Sequence, residues 1–261
     1  MQWINNSLVQ SAIISPVIGA LLGILFAGLN NPPSGGTTTV QQTTIVFKNV
    51  TNINNNGGRG SSSSDDGISI LILSVMLIAG ITWGYSRYAS EILGYWANGL
   101  FTCSTFILAA GITSALRGQY SSYDWVWYIF MPTLAIAFSF HLLYLAKIGI
   151  IPNVREFARM HTFMDFYLNV LREEHRSWLL FQIAGVLFGV LAAIIATMRS
   201  LHYLSLMNQR SGSALAGAWR LIAKITFASA SSTGLFFLLF LTGLSYFMLS
   251  GNAFEFWPHK P

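Results

Sequence analysis

His141 is the one candidate proton carrier inside the strongly apolar runs of this chain, with Ser139 and Tyr144 within a turn of it. At such depth an imidazole either relays protons or holds a ligand, or it is a neutral ring hydrogen-bonded to a neighbouring helix. Ser104 and Cys103 would need a positioned base to act as nucleophiles, and His141 is the base available; no local motif surrounds either residue. His161 and Asp165 stand four residues apart with His175 further on, but two ligands fall short of the three protein groups of a metal site, so the pair reads as a plain hydrogen bond. There is no phosphate-binding loop, HExxH, CxxC or Gly-rich dinucleotide turn. The chemistry-bearing residues therefore assign no catalytic residue, cofactor or metal, and the expectation is a protein that is not an enzyme.

Small residues are patterned more strongly than reactive ones. Ser11, Ser15, Gly19, Gly23 and Ala27 recur every fourth residue in an apolar run, and Gly185, Gly189, Ala193 and Thr197 repeat the stripe later. In lipid, hiding Leu against Leu gains nothing, so helices associate where small residues let backbones approach; the stripes mark a helix crossing within one subunit or between subunits. The run from Ala228 through Ser229, Ala230, Ser231, Ser232 and Thr233 to Gly234 is thin on all sides. It packs tightly all round, or it lines a polar path together with His141.

The elements that carry these residues follow from composition. Of 261 residues, 53% are apolar and only 9% charged, against roughly 25% charged in an average soluble domain, so the chain is a polytopic membrane protein. Six runs, 8–29, 67–85, 93–116, 125–146, 179–198 and 225–249, match the roughly 20 helical residues that cross a hydrocarbon core of about 30 Å. None contains Asp, Glu, Lys or Arg, the residues that coupled transport keeps at depth. Pro16 and Pro132 read as tolerable kinks, since neighbouring helices can satisfy the freed carbonyls. The N-terminus lacks a basic n-region and its apolar run is too long for a signal peptide, so it reads as a retained first helix.

The expected fold class is an all-α polytopic membrane protein with about six transmembrane helices, one interfacial amphipathic helix and one strand-forming extramembrane loop. The expected organisation is 1–29 for the first helix, 30–66 for a Thr/Asn-rich loop, 67–147 for helices two to four, 148–178 for the interfacial helix, and 179–261 for the last two helices, their projecting hairpin and a tail. Within the loop, 37–53 is rich in Thr, Val and Ile without Pro or Gly and reads as a strand between two flexible linkers. Thr43, Ile45, Val46, Phe47 and Val50 would pair with the same strand of another copy, because no partner strand exists elsewhere in the chain; the alternative is an unstructured linker. In 148–178, Phe157, His161, Met164, Leu168, Leu171, His175 and Trp178 recur every three or four residues, leaving Arg155, Arg159, Arg172 and Arg176 for anionic headgroups or a protein partner.

The formal charge of +5 is spread between apolar runs, which suits a bilayer surface and no nucleic acid. Basic residues tie at seven on each side of a six-span topology; the compact basic connection at 148–178 favours a cytoplasmic or inner membrane with both termini inside. Two functions are expected: a homo-oligomeric pore, channel or membrane-perturbing effector, or a noncatalytic scaffold or accessory subunit with a protein partner on the 148–178 side.

Overall fold

The computed structural model describes residues 13–28, 64–116, 123–209 and 216–256, and among these every regular element is a helix. Four helices are long and apolar enough to cross a membrane, within Leu73–Leu116, Tyr123–Ile148, Glu173–Asn208 and Ser232–Leu249; Ser15–Phe26 is apolar but shorter. The expected strand residues Thr43, Ile45, Val46, Phe47 and Val50 lie outside the described residues.

Helix α1 is Ser15–Gly28. It lies against α2, Ser64–Leu116, through its small-residue stripe: a methyl group on Gly19 would come within 3.0 Å of Thr105 Oγ1 and the Thr102 carbonyl oxygen, and one on Gly23 within 3.0 Å of the Phe106 oxygen and Ala109 Cβ. Contacts advance in the same direction along both helices, so they run parallel. Ser15 is buried in the same stripe, and the backbone of Ala27 continues the last turn.

The second and third expected spans belong to one helix. Residues 86–92, Ser-Arg-Tyr-Ala-Ser-Glu-Ile, are polar enough to end a hydropathy window but contain no Gly or Pro, so α2 continues through them for 53 residues with one non-helical position, Tyr88 (φ −120°, ψ 18°). At 1.5 Å per residue its length is about 80 Å, more than twice a hydrocarbon core. Downstream of Tyr88, Leu93, Trp96, Leu100 and Ile107 enter the core; upstream, every side chain from Leu73 to Ile78 is exposed.

Helix α3, Met131–Ile148, follows a π turn at Val126–Phe130. Pro132 has no N–H for the Tyr128 carbonyl four residues before it, and that carbonyl accepts instead from Ser200 Oγ at 3.1 Å. Between α3 and the next span the single interfacial helix expected at 148–178 is divided. Helix α4, Val154–Met160, stops at extended His161, a short turn and a π turn at Phe166–Val170 follow, and Leu171 is extended again. The Trp83 indole of α2 explains the first stop: Nε1 donates to the Ala158 carbonyl (2.7 Å) and to that of His161 (3.2 Å), replacing donors that a continuing helix would have supplied.

Helix α5, Glu173–Gln209, has 37 residues and is a spine of about 55 Å. Helices α6, Ala216–Ala230, and α7, Ser232–Leu249, return along it as the second arm of a hairpin. His202 meets Thr226 near the turn, and Gly185 meets Ser245 and Leu249 at the far end. The expected last span, 225–249, is thus split at Ser231. That residue is extended at ψ 164°, and its hydroxyl accepts from the Gly234 N–H at 3.0 Å, an N-cap that favours a new helix over continuation of the old one. A short α8, Asn252–Phe256, follows the left-handed Gly251 and places Phe254 edge-on to Trp178.

Candidate functional site

One face of the second half of α5 carries Arg199, Ser200, His202, Ser205 and Asn208, all buried. Three-residue steps on a helix keep side chains on adjoining faces, so a periodic polar seam is turned inward where hydropathy alone reads a loop. Several of the seam's bonds go to carbonyls at helix ends or breaks. Arg199 Nη1 donates to the Ser229 oxygen at 2.6 Å and to the Ser231 oxygen at 2.9 Å, while the Tyr128 hydroxyl donates to the Ala230 oxygen at 3.1 Å. The Ser229 and Ala230 carbonyls at the end of α6 have no acceptor role left inside that helix, and each finds an outside donor; the Ser231 carbonyl, in the break, also accepts from the Leu235 N–H. Arg199 also lies over the Tyr128 ring, 5.2 Å from its centroid.

The same device recurs at α1. Asn208 Nδ2 donates to the Phe26 carbonyl at 2.6 Å, in the last turn of that helix. His202 Nδ1 is paired with Thr226 Oγ1 at 3.0 Å, and Thr226 in turn donates to the Ile222 carbonyl. The seam therefore fastens α1, the π turn before α3, and α6 to the spine through bonds that lipid could not supply. Its sequence signal is the spacing Arg199, His202, Ser205, Asn208, in a stretch read as polar connection.

The residues expected to share a polar path are not brought together. Ser229, Ser231, Ser232 and Thr233 lie at the α6–α7 break beside Arg199, and Ser231, Ser232 and Thr233 are exposed. His141 lies on the exposed side of α3, flanked by Phe138, Tyr144 and Tyr246, whose ring centroids are 5.7, 6.4 and 6.2 Å away. About thirteen residues of α7 separate Tyr246 from Thr233, roughly 20 Å of helix. Neither Ser104 nor Cys103 hydrogen-bonds to His141 among the described residues, and Cys103 is a free thiol.

The opposite end of the bundle is tied just as closely. Trp178 Nε1 donates to the Gly149 carbonyl at 2.8 Å and Gln182 Nε2 to that of Ala146 at 2.7 Å, which closes the end of α3 onto α5. Arg155 forms an ion pair with Glu91 of α2 and donates to Ser90 Oγ. Arg176 folds back on the carbonyls of Leu168 and Leu171, with Tyr167 under its guanidinium. Only Arg159 and Arg172 of the four basic residues project without such partners among the described residues, and both are exposed. A cavity of about 230 Å³ lies here between Ser86, Ser90, Ile150, Pro152, Asn153 and Arg155. His161 and Asp165 are hydrogen-bonded, with Asn169 donating to the other carboxylate oxygen at 2.8 Å; these bonds, Asn169's first, hold the Asp165 carboxyl below its usual range. No cluster of three or more His, Cys, Asp or Glu side chains suited to a metal exists among the described residues.

Gly185 and Gly189 face α7 and α2. Added methyl groups would come within 3.0 Å of Leu249 at the first position and of the Trp96 ring at the second. At Gly19, Gly23, Gly185 and Gly189 both small-residue stripes are thus occupied by contacts within the chain. Compared with protein-family models, curated proteins and solved structures, the sequence matches none.

Proposed function

We propose that the protein is an integral membrane protein that assembles with copies of itself and acts on the bilayer as a pore, channel or membrane-perturbing effector. The observation that carries this reading is the upstream arm of α2. Leu73, Val75, Met76, Leu77 and Ile78 are all exposed, on several sides of one helix, and no Asp, Glu, Lys or Arg occurs from Gly67 to Ser86. A helix that is apolar all round belongs inside lipid or protein. The arm has the length for a crossing of its own, and the six spans of the hydropathy reading would require α2 to reverse direction at Tyr88, its one non-helical position. Ser232 and Thr233 are exposed, so a water path would run between copies. The segment 37–53 would pair between copies through Thr43, Ile45, Val46, Phe47 and Val50, and the membrane would be a cytoplasmic or inner one with both termini inside.

A second reading, a noncatalytic scaffold or accessory subunit, is favoured by the 148–178 segment. It is fastened to the spans by Trp83, Trp178, Arg155 and Arg176, while Glu156, Arg159, Arg172, Glu173 and Glu174 remain exposed to a protein partner. Ion flux through liposomes containing the purified protein alone separates the two readings: flux with an oligomeric mass supports the first, and silence from a monomer supports the second. Deleting 37–53 should lower the oligomeric mass on the first reading and leave it unchanged on the second.

A further inference from the structure

The way α1 and α2 are joined conflicts with a straight α2 once the bundle sits in a bilayer. Gly19 and Gly23 fix α1 parallel to the downstream half of α2, opposite Thr102, Thr105, Phe106 and Ala110, so Gly28 lies near the level of Ser114. Asn208 reaches the Phe26 carbonyl at that end of the bundle, whereas Glu91 meets Arg155 at the other. From Tyr88 to Ser114 the helix rises about 39 Å, more than the roughly 30 Å of a hydrocarbon core. In a bilayer enclosing the bundle, Gly28 and Tyr88 thus stand at opposite faces. A straight α2 then carries Ser64 about 36 Å beyond the Tyr88 face.

Residues 29–63 have to join these two points. They hold no apolar run longer than 45–47 and carry Lys48, Arg59 and many Asn, Gln, Ser and Thr side chains, a composition that lipid keeps from crossing. Gly28 and Ser64 therefore need one face of the bilayer in common, and the arm upstream of Tyr88 has to cross back to it. Its composition suits that crossing: 67–86 is 20 residues, about 30 Å of helix, without Asp, Glu, Lys or Arg, bracketed by Asp65 with Asp66 and by Arg87. The hold on the arm is also incomplete. Trp83 Nε1 donates to the Ala158 and His161 carbonyls, but on the same stretch of α2 Thr82 Oγ1 and Tyr85 Oη are buried with no hydrogen-bond partner, which disfavours that packing.

We propose that Tyr88 is a hinge: in the bilayer α2 reverses there and 67–86 folds back as a span of its own, while the straight α2 belongs to the protein before insertion. Tyr88 is the one position of α2 outside helical φ/ψ, and 86–92 has the polarity of a turn at the membrane surface, with Arg87 over the Trp83 and Tyr88 rings. Reversal places the apolar arm in lipid and gives up the two bonds of Trp83. The hinge rests on the integral-membrane part of the function proposed above and needs neither assembly nor conduction.

The test places spin labels on Leu73→Cys and Ile112→Cys, both exposed positions, in the full chain carrying Cys103→Ser, reconstituted in phosphatidylcholine–phosphatidylglycerol nanodiscs and diluted with unlabelled protein so that distances within one chain are read. A straight helix separates the labels by about 58 Å, and a reversal at Tyr88 should bring them within about 30 Å. Met76→Cys with Leu108→Cys, also exposed, should shorten in the same way from about 48 Å. Insertion is read separately from a label on Leu134→Cys, an exposed position of α3, which should be shielded from a water-soluble nickel chelate. With Leu134 shielded, distances near those of the straight helix in both pairs overturn the hinge and leave the integral-membrane reading standing. A Leu134 label open to the chelate overturns both.

Discussion

The hydroxyl of Ser245 donates to the Gly185 carbonyl across 2.7 Å, joining the middle of α5 to the end of α7. Such a bond from a side chain to another helix's backbone is open only where the backbones nearly touch, and glycine at 185 and 189 provides that closeness.

Gly189→Ile should therefore be destabilising by about 1–3 kcal/mol, because its side chain would displace the Trp96 ring and the Ser245 hydroxyl. Gly80→Ala and Gly243→Ala meet nothing within 4 Å and should be neutral or stabilising by up to about 1 kcal/mol. Thermal unfolding in one detergent compares the three; equal losses would remove the close crossing.

At the α1 crossing, Gly23→Ile drives a side chain against the Phe106 carbonyl, whereas Leu22→Ile alters an exposed position. The first should detach α1 and accelerate amide exchange through 15–28, with the second close to wild type. Indistinguishable exchange in the two variants would contradict the parallel packing of α1 on α2.

Trp83→Phe removes the donor shared by the Ala158 and His161 carbonyls while keeping an aromatic ring. A loss of about 1–2 kcal/mol, confined to 154–161, is expected. Hydrogen exchange should speed up in that segment and remain slow in 179–198; uniform acceleration would mean that Trp83 supports the spans instead.

The Asp165 carboxyl is held below its usual range, first by Asn169 and then by His161. Its contribution to local order is therefore present above the ordinary carboxylate range and lost as pH falls through the depressed folded value. The 161–170 turn should keep its amide protection down to mildly acidic pH and lose it below. Asn169→Ala should move that loss to higher pH, and an unshifted profile would sever the link.

Much of the helical packing is legible in the sequence because small residues at fixed spacing state it directly: Gly19, Gly23, Gly185 and Gly189 all lie at close crossings. Two features are not legible, for different reasons. Hydropathy registers the polarity of Ser86, Arg87 and Glu91 but cannot see that no breaker residue accompanies it, so one kinked helix reads as two. Arg199 reads as a loop cation because its burial depends on carbonyls thirty residues away, released by a helix break at Ser231. The split of 148–178 is hidden in the same way, since the donor that favours it is Trp83 on another helix.

The central claim, that copies of this protein assemble and open the bilayer, is tested most directly by ion flux from sealed liposomes holding the purified full chain and no other protein. Flux should appear with the wild type and rise more steeply than linearly with protein per vesicle. Intact liposomes at every protein density, with the protein shown to be folded and inserted, would contradict it.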